Sequence, residues 1–211
     1  MNYRYRINYA KEDGMRYTSN LDVHKMWERT FRRAKLPIVY SQGFHPQPKI
    51  QQASPLPLGF LSKNELVDFL LDQEINTNSL KENLSSTLPS GIVINNINLI
   101  NLQEPALQTQ TEASEYHIFF LDPIDEKLLI KKISELLSES SIKRIRRGKS
   151  YDLRPLILEI DLTEDTPLFL KMLLKSKEGA TGRPEEVLSE LGIPVESTRI
   201  IRNRIILSDF Q

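Results

Sequence analysis

The chain has 211 residues, and its 28 basic side chains equal its 28 acidic ones, so the formal net charge at neutral pH is zero. With 39% hydrophobic and 27% charged residues, the composition is typical of a soluble globular protein of one or two domains. No apolar run is long enough to span a bilayer, and the first residues lack the apolar segment of a secretory leader. We therefore expect a cytoplasmic protein that makes no membrane contact.

The absence of cysteine excludes disulfides, thiolate catalysis, iron–sulfur clusters and cysteine-ligated zinc. The three histidines, His24, His45 and His117, are too scattered to indicate a metal centre. Motifs for phosphate loops, nucleophile elbows and dinucleotide binding are also missing from the sequence. We expect no metal and no cofactor, and the protein is more readily interpreted as a binding protein than as an enzyme.

The zero net charge conceals an uneven distribution of charge along the chain. Residues 1–50 carry 10 basic and 4 acidic side chains, residues 51–141 carry 5 and 13, and residues 142–211 carry 13 and 11. A basic opening is thus followed by an acidic middle and a second basic region near residue 145. This asymmetry favours a surface with a positive face, which bears on partners and not on fold.

Hydrophobic periodicity predicts alternating strands and helices in two similar sets. The first half begins with a predicted strand over 3–9, a tight turn at 13–14 with a returning strand over 15–17, and a helix that starts at 18–20 and ends near 35. An extended stretch near 55–59 and a strand over 65–72 follow. A helix from 76–78 to 88 and a bulged strand over 92–99 complete this half. Those predicted for the second half are strands over 116–121, 142–149, 156–162, 168–174 and 198–207, with helices over 124–138 and 184–191.

This element order predicts an α+β protein made of two ferredoxin-like (βαββαβ) halves in tandem, each an antiparallel sheet with helices on one face. The predicted boundaries are 1–102 for the first domain, 103–114 for a polar linker, and 115–211 for the second domain. Tandem ferredoxin-like RNA-binding proteins, including endoribonucleases that process CRISPR repeats, have a similar order. Fold alone does not fix function.

Several short segments of the first sixty residues form a recognisable set. They are Gly14 to Asp22, Trp27 to Arg29, Arg32 to Ala34, Leu36-Pro37, Tyr40 to Ile50 and Ala53 to Gly59. Together they resemble one bacterial family of radical-SAM-linked proteins. Members of that family occur fused to, or encoded beside, B12-binding-type radical SAM proteins, and the domain is of unknown function. Two positions depart from the family pattern, because Asn20 stands where histidine is usual and His45 where asparagine is usual. The resemblance implies a radical SAM protein as partner, which would carry the cluster that this cysteine-free chain cannot bind.

The first candidate site is a basic face on the opening strand and the first helix. Its predicted members are Arg4, Arg6, Lys25, Arg29, Arg32 and Arg33. Cations on a common surface bind phosphates through counterion release, and neighbouring tyrosines can stack on bases. The alternative is a solvated helix face whose neighbouring tyrosines pack in the core.

The second candidate is the proline- and glycine-rich loop at 41–46. It displays Gln42 and His45 on a stiff backbone, and Lys49 follows directly. Such a loop can bind a ligand, and His45 is a weak candidate for proton transfer. A rigid connector with an exposed histidine explains the pattern as well.

Two further basic segments lie in the second half. The first contains Arg144, Arg146, Arg147 and Lys149, and the second contains Arg183 just before a helix. Both segments can be interpreted as nucleic-acid contacts. The alternative for the first is an edge strand whose charges prevent aggregation, and the alternative for the second is the capping of the helix that follows.

From these features we expect an RNA-binding accessory protein, acting on tRNA or ribosomal RNA beside a radical SAM modification enzyme. One alternative is a protein-interaction adaptor that docks the radical SAM protein through its acidic middle or the Pro55 to Gly59 loop. A second alternative is a metal-independent endoribonuclease that uses His45 or His24.

Overall fold

The computed structural model describes residues 1–177 and 179–208. Its strands are β1 (Tyr3–Lys11), β2 (Ile50–Gln52), β3 (Leu61–Leu71), β4 (Ile92–Ile100), β5 (Thr111–Phe120), β6 (Lys143–Arg146), β7 (Lys149–Asp152), β8 (Ile157–Leu162), β9 (Phe169–Lys177), β10 (Ala180–Thr181) and β11 (Thr198–Leu207). Its α-helices are α1 (Asn20–Arg33), α2 (Thr77–Ser85), α3 (Leu107–Gln110), α4 (Glu126–Ser138) and α5 (Pro184–Leu191). The protein is a mixed α+β protein with mainly antiparallel sheet, as the sequence predicts.

The chain divides into two compact units. Among the described residues, unit 1 contains Met1–Thr111 with Leu207 and Ser208, and unit 2 lies between Glu112 and Ile206. In unit 1 the antiparallel strand order is β4-β1-β3-β2. In unit 2, β9 pairs antiparallel with β5 on one side and with β8 and β10 on the other, and β11 lies beside β5.

Helix α1 forms where the sequence predicts it, because its apolar residues recur on one face and Ser19 caps its start. The Ser19 hydroxyl accepts a hydrogen bond from the Asp22 amide at 3.2 Å. The apolar side chains at 23, 26, 27 and 31 are buried against β1 and β3. Burial of this stripe leaves the basic side chains of α1 on the outside.

A chain of aromatic rings fixes α1 on the sheet. Trp27 meets Tyr9 edge-on at 5.0 Å and stacks on Phe31 at 5.5 Å. Phe31 in turn stacks on Phe69 of β3 at 4.5 Å. Aromatic pairs of this geometry stabilise a core beyond the area that they bury. The outer face of α1 therefore rests on a rigid support.

Two details of unit 1 bear on the sequence predictions. The predicted bulge in the strand after α2 is confirmed, because the pairing of β1 with β4 shifts after Asn8 and leaves Asn95 unpaired. The predicted return strand over 15–17 is wrong, because Asp13–Met15 forms a single 3₁₀ turn.

The segment 103–114, predicted as a linker, is structured. Helix α3 lies within it, Leu107 is fully buried, and β5 already begins at Thr111. The second half of this strand was predicted, but polar residues conceal its start in the sequence, since Thr111, Ser114 and Glu115 are all buried although none is apolar.

The strand predicted over 142–149 is a two-stranded hairpin made of β6 and β7. Arg147 and Gly148 form its turn, with φ of +50° and +75°. Positive φ at both central residues suits the twist of a tight hairpin. A single strand and a two-stranded hairpin both show side chains that alternate between two faces, so the sequence period alone could not reveal the turn.

No helix in the described part of the chain is long and apolar enough to cross a membrane.

Candidate nucleic-acid interface

A groove of about 550 Å³ lies between α1 and the segment that follows it in unit 1. We call it the basic groove, and its lining residues are Lys25, Glu28, Arg29, Phe31, Arg32, Lys35, Leu36, Ile38, Tyr40, Pro46, Gln47, Pro48 and Ile50. One wall is the outer face of α1 and its C-terminal end. The other wall is formed by residues 36–50.

The helix wall carries four cations. Lys25, Arg29 and Arg32 lie on successive turns of α1, and Lys35 follows the last turn. All four are exposed, and none forms an ion pair with a carboxylate in the described part of the chain. The spacing places them along one side of the helix, so their positive potentials add within the groove.

Among the residues that the structure describes, Glu28 supplies the one carboxylate that lines the basic groove. Its Oε1 lies 3.4 Å from Nε2 of His24, which stands one turn earlier on α1. Four cations against one carboxylate leave the groove with a net positive charge. Such a site favours anionic ligands, phosphates among them.

Lys35 adopts a left-handed backbone conformation with φ of +53°. Glycine or asparagine is usual just past the end of a helix in this conformation, and another residue there costs on the order of 1 kcal/mol. The strained position adds a fourth cation to the groove. Strain of this kind is found at functional sites.

Backbone hydrogen bonds hold the loop wall in place. The Val39 amide donates to the Leu70 carbonyl and the Lys49 amide to the Val39 carbonyl, each at 2.9 Å. Further along, the Ser41 amide donates to the Gln47 carbonyl at 2.8 Å, while the Ser41 hydroxyl accepts from the Gln47 amide at 2.9 Å. These bonds close the base of the loop and fix the backbone on both sides of Tyr40, a 52% exposed residue that lines the groove.

The tip of this loop lies outside the groove lining. Gln42 and His45 are exposed and do not line the basic groove. Within the described residues, the His45 side chain forms no hydrogen bond or ion pair, so no acid or base accompanies it. Phe44 at the tip is fully exposed, and Gly43 supplies the required φ of +130°.

A second cavity, of about 430 Å³, adjoins the loop wall. Gln47, Pro48 and Ile50 line both cavities, so this wall separates them. The predicted residue Lys49 is exposed and lines the second cavity, as Arg4 does. Lys49 therefore does not join the cations of the basic groove.

The predicted placement of Arg4 and Arg6 on an exposed basic face is wrong. Both are buried, and both bind Asp68 of β3, with Arg6 Nε 2.8 Å from Oδ1 and Arg4 Nη2 2.6 Å from Oδ2. Arg4 also donates to the carbonyls of Glu104 and Pro105 at 2.8 and 2.9 Å. Strand β1 is buried on both faces, so its alternation of tyrosine and arginine does not indicate one solvated side.

The basic hairpin of unit 2 divides its cations between two faces. Arg146 binds the Glu186 carboxylate at 2.6 and 2.7 Å and lies 4.8 Å from the Tyr151 ring centre, while Arg144 Nε lies 2.7 Å from Glu190. Burial lowers the pKa of the Arg146 guanidinium, but the hydrogen bonds that it donates to the Glu186 carboxylate and the negative charge of that group outweigh burial and raise the pKa. Arg144 and Arg146 are thus neutralised by α5.

The outer face of the hairpin is solvated. Its exposed residues are Lys143, Ile145, Arg147 and Lys149. Arg183 is also exposed at the start of α5, where its side chain caps nothing. Of the residues predicted in unit 2, only Arg147, Lys149 and Arg183 remain fully available to a ligand.

Sequence reasoning missed two members of the basic groove, Lys35 and Tyr40. Lys35 stands three residues after Arg32, so extending the spacing of the basic residues by one step would have found it. Tyr40 lies outside any periodic element, and only the folding of residues 36–50 beside α1 places it there. Arg33 was predicted as a binding residue, but it lies on α1 outside the groove lining and contacts Thr30.

A separate polar network lies on the sheet of unit 2. The buried Glu115 carboxylate accepts from Asn203 at 2.7 Å and from Arg204 at 2.8 and 3.0 Å, and it lies 3.0 Å from His117. Burial raises the pKa of Glu115, but hydrogen bonds from Asn203, Arg204 and His117 outweigh it and hold that pKa below its ordinary value. In the described part of the chain no three metal-ligating side chains cluster together.

Comparison with known proteins gives a family but no described activity. No curated protein matches the chain significantly. Residues 4–184 match the family described as "Uncharacterized protein conserved in bacteria (DUF2344)", and this span includes both the basic groove and the basic hairpin. Since the match covers most of the 211 residues, the chain belongs to this family of bacterial proteins.

Proposed function

We propose that this protein binds RNA, tRNA or ribosomal RNA, as an accessory to a radical SAM modification enzyme. The observation that carries the proposal is the basic groove, where Lys25, Arg29, Arg32 and Lys35 line one wall without carboxylate partners in the described residues. Unpaired cations on one surface bind phosphates by releasing counterions.

The proposed fold supports the same interpretation. We propose that both units are ferredoxin-like, since unit 1 has the strand order β4-β1-β3-β2 and unit 2 the order β11-β5-β9-β8. In each unit these four strands and two helices succeed one another along the chain as strand, helix, strand, strand, helix, strand, and this strand order is the one that a ferredoxin-like fold has. Four-stranded sheets of this kind occur in RNA-binding domains. This is an argument from fold, so the groove carries more weight.

The radical SAM partner is proposed from the sequence resemblance given above. The chain has no cysteine, so the partner would supply the iron–sulfur cluster and the reaction. In this division of labour the protein described here holds the RNA substrate and the partner modifies it.

The test is RNA binding by a variant that lacks two groove cations, Arg29→Ala with Arg32→Ala. We expect its affinity for labelled tRNA, measured by fluorescence anisotropy at low salt, to fall at least about tenfold, since two charge-assisted contacts are lost. The matched control is Lys127→Ala with Lys131→Ala, which removes two exposed cations of α4 and should bind like the wild type. Equal affinity of the wild type and the groove variant would refute the proposal.

A second candidate function is an adaptor for the radical SAM protein without RNA contact. The observation that favours it is a group of exposed apolar side chains near the start of α1, since Tyr17, Leu21 and Leu58 are 75%, 74% and 62% exposed. Leu58 belongs to the Pro55 to Gly59 loop, and the Tyr17 ring lies beside Gly59, since a Cβ atom added to that glycine would stand 4.0 Å from Tyr17 Cε1. Co-purification with the radical SAM protein that survives nuclease treatment, together with no affinity for RNA, would favour the adaptor.

A further inference from the structure

The two walls of the basic groove differ in chemistry. The helix wall offers four cations, whereas the loop wall offers the ring of Tyr40 and the apolar faces of Pro46 and Pro48. A groove that follows a phosphate backbone with cations and receives bases on an aromatic ring is the arrangement used to bind single-stranded nucleic acid.

Tyr40 stands exposed on a fixed backbone. Its backbone pairs with Pro48, and the hydrogen bonds of Val39 and Ser41 on either side hold that backbone in place. Tyr40 is 52% exposed and, within the described residues, its ring stacks on no other ring. A base that stacks on this ring gains contact with little ordering of the protein.

The cations are arranged in a row. Lys25 and Arg32 stand seven residues apart on α1, so they lie roughly 10 Å apart along the helix axis. Lys35 extends the row beyond the end of the helix. A row of this length can contact the phosphates of more than one nucleotide. A site for a single phosphate would not require cations over this distance.

Duplex RNA does not fit this combination of walls. Proteins recognise an A-form helix by shape, across its wide minor groove and its phosphates, and its bases are already stacked on one another. A two-walled groove of about 550 Å³ has the size of a pocket for one ligand-sized segment. Only an unpaired base can leave the stack formed with its neighbours and place its ring against that of Tyr40.

We propose that the basic groove binds a single-stranded segment of RNA, with phosphates on the α1 cations and a base stacked on Tyr40. This proposal rests on the proposed RNA-binding function and names the form of RNA that the groove accepts. In a structured RNA such a segment is a loop, a bulge or an end.

The experiment measures the affinity of the full chain for a labelled 12-nucleotide single strand and for the blunt duplex of the same sequence. We expect the single strand to bind at least about tenfold more tightly than the duplex. Tyr40→Ala should weaken single-strand binding by about 5-fold to 100-fold, which is the range for loss of one base–aromatic stack. Tyr40→Phe keeps the ring and should retain wild-type affinity.

Tyr17→Ala is the matched control, because Tyr17 is an exposed tyrosine outside the groove lining, and it should bind like the wild type. Equal binding of duplex and single strand, or an unchanged affinity of Tyr40→Ala, would overturn the inference and leave the RNA-binding proposal standing. Competition by adenosine monophosphate at the concentration at which the oligonucleotide itself competes would also overturn it, since the groove would then be a site for a single phosphate. If neither RNA binds, the proposed function itself fails.

Discussion

Asp68 is the residue on which two arginines of β1 depend. Its side chain is 1% exposed, and it accepts hydrogen bonds from Arg4 at 2.8 Å and from Arg6 at 2.8 and 3.0 Å. One carboxylate thus neutralises part of the charge of two buried guanidinium groups. The carbonyls of Glu104 and Pro105 satisfy further donors of Arg4.

We predict that Asp68→Ala destabilises the protein by about 3–5 kcal/mol, because both buried arginines lose their close carboxylate and Arg6 keeps only the longer contact with Glu104 at 3.9 Å in the described residues. The free energy of unfolding, measured by urea denaturation, checks this. Asp72→Ala is the control, since Asp72 is exposed at the end of the same strand, and it should change the free energy by less than about 0.5 kcal/mol. A loss below about 1 kcal/mol for Asp68→Ala would show that Arg4 and Arg6 do not rely on it.

Helix α1 and the hairpin of β6 and β7 show how elements of similar charge acquire different surroundings. Both are rich in lysine and arginine. On α1 the cations face outward without carboxylate partners in the described residues, whereas two of the hairpin arginines turn toward Glu186 and Glu190 of α5. Charge content is therefore a poor guide to free positive surface, because the neighbouring element decides how much of it is neutralised.

Strands β5 and β11 share an acid-sensitive network around Glu115. Since the pKa of Glu115 in the folded protein lies below its ordinary value, the folded state stabilises the ionised carboxylate. This stabilisation is fully present above the ordinary pKa of a glutamate. It is lost as the pH falls through the lowered pKa of the folded state.

We predict that Glu115→Gln is less stable than the wild type at pH 7, by on the order of 1 kcal/mol, and that this difference shrinks by about pH 3. Urea denaturation of both proteins at the two pH values measures it. Glu139→Gln, a change at an exposed residue in the same unit, should follow the wild type at both pH values. A constant difference between Glu115→Gln and the wild type would mean that the charge of Glu115 does not stabilise the fold.

Across the whole molecule, the balance of charges limits how RNA can be held. The net charge is zero, so the molecule as a whole offers little long-range attraction, and affinity has to come from local surfaces. The basic groove supplies four cations, and the outer face of the hairpin supplies three more, Lys143, Arg147 and Lys149. The salt dependence of binding separates these two contributions.

If the basic groove alone contacts the phosphates of a single strand, we predict that the logarithm of the association constant falls with the logarithm of salt concentration with a slope of about −3. Participation of the hairpin cations would steepen this slope to about −5. Titrations by fluorescence anisotropy at four or more salt concentrations measure the slope. The Lys143→Ala, Arg147→Ala and Lys149→Ala triple variant should leave it unchanged, and a shallower slope for that variant would contradict binding through the groove alone.

Local patterns were sufficient for most elements of this protein. The period of 3.6 in α1 predicted both its buried stripe and its exposed basic face, because amphipathicity depends only on residues a few positions apart. For the same reason the pattern located α4, α5 and β11 within a few residues of their bounds. The first half of β5, residues 111–115, and the turn in the basic hairpin were not predicted. Polar residues concealed the start of β5, and one alternation of residues fits both a single strand and a hairpin.

By itself, the sequence determined the α+β class, the absence of cysteine chemistry and the basic character of the outer face of α1. Only the tertiary structure decided which cations are free. Arg4 and Arg6 are neutralised by Asp68, more than sixty residues away, whereas Arg29 and Arg32 face a groove completed by Tyr40. The physical reason is that a charge acts through its surroundings, and folding brings those surroundings from distant parts of the chain.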